Sequence, residues 1–285
     1  TTKHSTHSTM MTKLLLSAAF LLSLSNGRAF SFPPHHNHKT SQPVLVPTLS
    51  AEQQPSNNII GPINENIWEF AAPVRIEGNS LKTWSFSSGA TKRVQVSVKS
   101  TGRPIEASVE LWQTPSYTPT TFKVECEDGG ENIVHSIIEL PEGHPVTVAV
   151  YNTEGQEFPM DVSVADMSNV ESASTAFQGL IPQYIEGGKA VKSYNFSHDV
   201  ESVEVLLRTN MRNMKAYIEI LHGPNDDNEV IEVETDNANI HPFYTVIQTP
   251  GGANTLRIVN ENSVEFPLEA FVRPFDTVSG EKAAE

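Results

Sequence analysis

The sequence predicts an all-β protein: two tandem homologous antiparallel β-sandwich domains with a pseudo-two-fold relation. Three observations predict it. A segment of about 100 residues recurs in order, apolar and polar residues alternate with period two, and turn-forming residues punctuate the chain at short intervals. No segment carries a long 3.6-residue apolar period, so helix content should be low.

The elements follow from the N-terminus. Residues 1–29 read as a leader and signal peptide, in which 1–9 precede the first methionine. Lys13 is followed by a short apolar run and then small residues ending at Ala29, the layout of a cleaved signal. Residues 30–58 are rich in Ser, Thr, Pro, Gln and His and carry no acid before Glu52, which resembles a plastid transit peptide. Phe30 directly after Ala29 resembles the junction of the two-part presequences of diatoms and other algae with red-lineage plastids. The first sandwich repeat is expected over 59–166, a small polar linker over 167–175, the second repeat over 176–275 and a polar tail over 276–285.

The repeat is read from ordered identities. Ile76-Glu77-Gly78 returns as Ile185-Glu186-Gly187, Trp84 and Phe86 as Tyr194 and Phe196, and Val124-Glu125 as Val233-Glu234. Asn152 followed by Glu157-Phe158-Pro159 returns as Asn260 followed by Glu265-Phe266-Pro267, and Trp68 aligns with Phe177. The aromatic positions Trp84, Phe86, Phe158, Tyr194, Phe196 and Phe266 are assigned to the repeat core, and the recurring Gly, Pro and Asn to turns. Within each copy, Val94, Val96 and Val98 alternate with Gln95 and Ser97, as Val203, Val205 and Leu207 do with Glu204 and Leu206, the pattern of a strand with one apolar face. About seven short strands per copy are expected, the pattern of a sandwich.

Composition narrows the function. A net charge of −15 argues against nucleic acid, whose phosphates call for basic patches. Outside the N-terminal region no stretch approaches the ~20 apolar residues of a membrane span. Cys126 is the only cysteine, so an internal disulfide or thiolate cage cannot form, and a reducing compartment suits the chain.

No catalytic, cofactor-binding or metal-binding residue is predicted. His135, His144, His198, His222 and His241 lack the close spacing of a zinc site and read as surface or turn histidines. Asp226-Asp227-Asn228-Glu229 lacks the ligand spacing and central glycine of a calcium loop and reads as a polar loop. No nucleophile elbow, phosphate loop or zinc-protease motif is present. Asn195-Phe196-Ser197 is a formal glycosylation sequon placed on a strand.

The strings Arg75-Ile76-Glu77-Gly78, Lys82-Thr83-Trp84-Ser85-Phe86, Gly102-Arg103-Pro104-Ile105-Glu106-Ala107 and Glu265-Phe266-Pro267-Leu268 resemble the pyrenoid shell (PyShell) proteins of diatoms and related algae. The resemblance extends from Asn66 to Pro274. It implies a structural, non-enzymatic protein of the plastid stroma that assembles with itself into a sheet or tube around the pyrenoid. Such a shell encases the Rubisco matrix and supports CO2 concentration and carbon fixation. The implied partners are further copies of the chain, with Rubisco or other matrix components beside them, and no cofactor is implied. Two similar domains offer two similar surfaces, and heterologous contacts between them repeat without closing. The apolar arm residues Ile63, Ile67, Trp68 and Phe70, together with Phe271 and Phe275, are the expected assembly elements. The competing reading is a tandem carbohydrate- or ligand-binding sandwich, with an inactive hydrolase domain behind it.

Overall fold

Strands form where alternation places them. Asn254–Asn260 buries every second residue, Asn254, Leu256, Ile258 and Asn260, while Thr255, Arg257 and Val259 face outward. The computed structural model describes residues 63–87, 89–113, 117–141, 143–222, 227–249 and 252–278. The expected signal peptide and transit-like segment, with Ile59 and Ile60, lie outside the described residues.

The first copy contributes β1 (Val74–Ile76), β2 (Ser80–Phe86), β3 (Arg93–Lys99), β4 (Ile105–Gln113), β5 (Tyr117–Cys126), β6 (Val134–Glu139), β7 (Val146–Asn152) and β8 (Met160–Asp166). The second contributes β9 (Gln183–Ile185), β10 (Ala190–Phe196), β11 (Val200–Arg208), β12 (Met214–His222), β13 (Asp227–Thr235), β14 (Phe243–Gln248), β15 (Asn254–Asn260) and β16 (Leu268–Thr277). One-turn helices α1 (Ile67–Phe70) and α2 (Ala173–Ala176) precede the two sets. Among the described residues each copy thus has eight strands where about seven were expected, and β16 runs to Thr277, into the expected tail.

All pairings are antiparallel, and they join the two copies. Sheet I has the order β1-β8-β3-β6-β14-β11-β16-β9, and sheet II the order β10-β15-β12-β13-β5-β4-β7-β2. Each order is a palindrome in which every strand of one copy is mirrored by its counterpart in the other. The all-β sandwich class is as the sequence predicts. Its tandem form is a single double-width sandwich: β6 pairs with β14 in sheet I and β5 with β13 in sheet II, over one core drawn from both copies.

The pseudo-two-fold passes through two residue pairs. In sheet I, Ser136 opposes its own counterpart Thr245 and donates a 3.2 Å hydrogen bond to its hydroxyl. In sheet II, Lys123 opposes its counterpart Glu232, with the charged atoms 3.4 Å apart. Identical chains would place like charges at that point; a duplicated chain can diverge into an attractive pair.

The repeated Gly, Asn and Glu-Phe-Pro positions form one device, present twice. Buried Asn152 donates through its side-chain amide to the carbonyls of Ile76, at 3.1 Å, and Phe158, at 2.9 Å. Asn260 does the same to Ile185 and Phe266, both at 2.9 Å. Each clamp ties a short edge strand of sheet I to the loop before the next long strand. It brings the following turn so close to that loop that only glycine fits at Gly78 and Gly187.

The assigned core aromatics are less buried than the sequence suggests. Trp84, Phe86, Phe158, Tyr194, Phe196 and Phe266 are all half-exposed. Four of them sit on β2 and β10, the outermost strands of sheet II. The edges of sheet I facing them, β1 and β9, are only three residues long, against seven in β2 and β10, which accounts for the partial cover.

Candidate functional site

Three regions could meet a partner: the cover over sheet I, the two ends of the sandwich, and a cavity at one end of the seam in sheet II.

The cover consists of α1 and α2, at equivalent places in the two copies. The outer positions of sheet I beneath them are apolar or carry matched polar groups, so β6 and β14 are buried on both faces. The arm is held by Gln95: the backbone amide of Asn64 donates to Gln95 Oε1 at 2.9 Å, and Gln95 Nε2 donates to the Asn64 carbonyl at 2.7 Å. Ile63 is buried in a second apolar cluster with Ile137, Leu206, Tyr244, Val246 and Phe271. Ile67 is fully buried, and Phe271 is 5% exposed between Phe177 and the Arg208 guanidinium. Trp68 is half-buried, with the Lys99 ammonium 4.0 Å from its ring centroid. Phe70 and Phe275 are half-buried, Phe275 packing against the second cluster. The expected assembly residues are therefore engaged with their own chain, and so is the expected linker, where Met167, Val170 and Ala173 are buried and Ser172 caps α2. Gln95→Ala removes both hydrogen bonds to Asn64, worth about 1 kcal/mol each, and should release the arm. Hydrogen exchange is expected to speed up over 63–71 and stay unchanged in β4 and β12.

Under the cover the two copies diverge. His135 occupies the place of Tyr244. It is 1% exposed and shares a 2.6 Å hydrogen bond with the Ser97 hydroxyl. Burial, and then the Lys99 charge, lowers its pKa to about 4, so it is neutral here. It is neither a surface nor a turn histidine, because β6 is covered on both sides. In the second copy Tyr244 donates to Glu204 at 2.6 Å, and Arg273 donates to the other oxygen of the same carboxylate. Both groups are structural polar networks: His135, Tyr244 and Glu204 are buried, and only the Arg273 side chain reaches solvent.

The sandwich ends are open. Leu81 and its counterpart Val191 are 42% and 48% exposed on β2 and β10. The second-copy end adds Leu180, Ile181 and Tyr184 at 40%, 90% and 62% exposure. Their counterparts in the first copy, Ala71, Ala72 and Arg75, make that end smaller and more polar.

The cavity, of 440 Å³, is lined by Pro104, Ile105, Glu106, Glu125, Cys126, Glu127, Glu154, Glu229 and Val230. Glu229 is not part of a polar loop. It lies in β13 on the same face as Ile231 and Val233, opposite Cys126, and is 2% exposed. Neither of its carboxylate oxygens has a hydrogen-bond partner. Burial pushes its pKa up to about 8, and burial together with the Glu229 charge pushes the Cys126 thiol up to about 12. The folded state holds the Glu229 proton more tightly than the unfolded chain does, so stability falls as pH rises from about 4.5 to about 8. Glu229→Gln should be clearly more stable than the parent at pH 9, with the gap closing toward pH 5, as read by urea midpoints. A constant gap across that range would contradict the assignment. Among the described residues no group of three or more His, Cys, Asp or Glu is placed to hold a metal ion, and no helix is long and apolar enough to cross a membrane.

The family model for diatom pyrenoid shell protein matches residues 68–274, which takes in nearly all of both copies. No curated protein matches. Among solved structures, the PBSX exported protein XepA shows 11% identity and a TM-score of 0.24, covering 67% of this chain and 85% of its own. The structure of Sulfolobus turreted icosahedral virus gives 10% identity and a TM-score of 0.21, with 70% and 88% covered. Vicilin from Solanum melongena gives 10% and 0.14, with 68% and 75% covered.

Proposed function

This chain belongs to the diatom pyrenoid shell protein family, and from that premise we propose that its copies join end to end into a sheet or tube that encases the Rubisco matrix and supports CO2 concentration. Family membership itself carries a structural role at the pyrenoid of the plastid.

The observation that supports it is the pair of open ends. A palindromic sandwich puts β2 and β10 at opposite ends of sheet II, each seven residues long, without a break in register to its one neighbour and, among the described residues, with no strand on its outer edge. Unpaired edges are natural sites for a neighbouring copy. Lys82 and Lys192, exposed at equivalent positions on both edges, discourage unguided strand pairing. The contact is therefore assigned to side chains, led by Ile181, Tyr184 and Val191 at the apolar second-copy end. A head-to-tail contact of this kind repeats without closing.

Electron microscopy of the mature protein tests this. Sheets or tubes are expected without added ligand. Ile181→Asp with Tyr184→Asp should leave a folded, dispersed protein, because both side chains are already exposed. Monomers at every concentration, or a fluorescent fusion spread evenly through the stroma, would count against the shell. A measurable sugar affinity in a protein that stays monomeric would favour the carbohydrate-binding alternative.

A further inference from the structure

The two copies handle the same acidic corner of sheet II differently. In the second copy Lys215, on β12, neutralises it: its ammonium lies 2.5 Å from Glu234, 3.4 Å from Glu232 and 3.9 Å from Glu261. Lys215 opposes Glu234 across β12 and β13, as Glu106 opposes Glu125 across β4 and β5. The counterpart of the lysine is therefore Glu106, and the first-copy corner gains a negative charge where the second has its cation.

That corner is the 440 Å³ cavity, lined by Glu106, Glu125, Glu127, Glu154 and Glu229 and, among the described residues, by no basic one. The acids alone would describe an ordinary solvated surface. Glu229 is the separate observation: it is buried, and both of its oxygens lack a partner. The position equivalent to Glu229 in the first copy is Thr120, so the buried carboxylate is a departure specific to this side of the seam. Burying an unsatisfied carboxylate is costly, and such groups concentrate where a ligand supplies the missing partner. The carboxylates and the thiol do not converge as a divalent ion requires. The space suits a longer group with one charged end.

We infer that this cavity is a binding site for a primary ammonium on a flexible chain, the lysyl side chain of another polypeptide, which does for the first copy what Lys215 does for the second. The alkyl stem would lie along Ile105 and Val230 and the ammonium among the carboxylates, the usual division of labour in a lysine side chain. The inference is independent of the shell reading, since a chain that never assembles would still present the cavity.

The test is a titration of the ¹⁵N-labelled protein with acetyl-Gly-Lys-Gly-amide, following the amide resonances of Ile105, Cys126 and Val230. Acetyl-Gly-Gln-Gly-amide, 1,4-diaminobutane and magnesium chloride serve as parallel probes. The lysine peptide should shift these resonances, and the glutamine peptide and magnesium should not. Glu106→Lys, which installs the second copy's own solution, should weaken the peptide at least tenfold. Glu229→Gln should weaken it as well, which covers the case in which Glu106→Lys fails to fold. No shift with the lysine peptide, an affinity unchanged from the parent in both variants, or the same shifts produced by magnesium would each overturn the site. Diaminobutane binding tenfold more tightly than the peptide would overturn the polypeptide as its source.

Discussion

Gly187→Ala is expected to lower the melting temperature by roughly 6–12 °C. A methyl group built on Gly187 lies 1.8 Å from the carbonyl oxygen of Ser263 and 2.8 Å from that of Asn262. Both obstacles are backbone, and the Ser263 carbonyl is already committed as acceptor of the Phe266 amide at 2.9 Å. Neither can swing aside as a side chain would, so the cost should reach the upper end of the usual 1–3 kcal/mol for overpacking. For a fold of this size each kcal/mol lowers the melting temperature by about 2–4 °C. Gly78→Ala should behave alike, since its methyl group would lie 1.9 Å from the Gly155 carbonyl oxygen. Gly143→Ala is the control. It has φ of +87° but nothing within 4 Å, so it should cost only about 1–2 kcal/mol of backbone strain. If the three variants melt together, the contact argument fails and only glycine's backbone freedom matters.

This glycine is legible in the sequence, because Glu77-Gly78 and Glu186-Gly187 repeat at the same place in the two copies. The strands were visible too, wherever one face is wet. The joining of the copies was not. Alternation in β5 shows that Phe122 and Val124 face inward, but the backbone groups that pair with β13 are the same in every residue and leave no mark on the sequence. The cover over sheet I left a faint one. Ile137-Ile138 and Leu206-Leu207 are apolar doublets that break the period of two, as strands buried on both faces do. His135 and Gln95 beneath the cover looked like surface residues because they stand in the polar register of their strands. Glu229 is the reverse case. It stands in the apolar register with Ile231 and Val233, and a carboxylate there is the sign of the cavity that a reading based on ligand spacing passes over.

The seam makes the larger claim about folding. Phe122 and Phe243, one from each copy, are 1% and 2% exposed, with ring centroids 5.3 Å apart. Phe243→Ala should cost about 3–5 kcal/mol, and the whole protein should still melt in one transition, because the core it weakens is common to both copies. Two transitions, with one copy unaffected, would show that the copies fold separately. Cutting the chain carries the same logic further. Fragments 63–166 and 167–278, made apart, each expose the strands that meet at the seam, β5 and β6 in one and β13 and β14 in the other. Self-pairing of the first would set Lys123 against Lys123, and of the second Glu232 against Glu232. Pairing the two restores the 3.4 Å ion pair and the contact between Phe122 and Phe243. An exposed ion pair adds at most about 1 kcal/mol, so it sets preference while the buried aromatic contact supplies affinity. Mixed fragments should therefore form a one-to-one complex in native mass spectrometry, in preference to either homodimer. A statistical mixture of the three dimers would mean that the divergence at the dyad has no consequence for assembly of the fold.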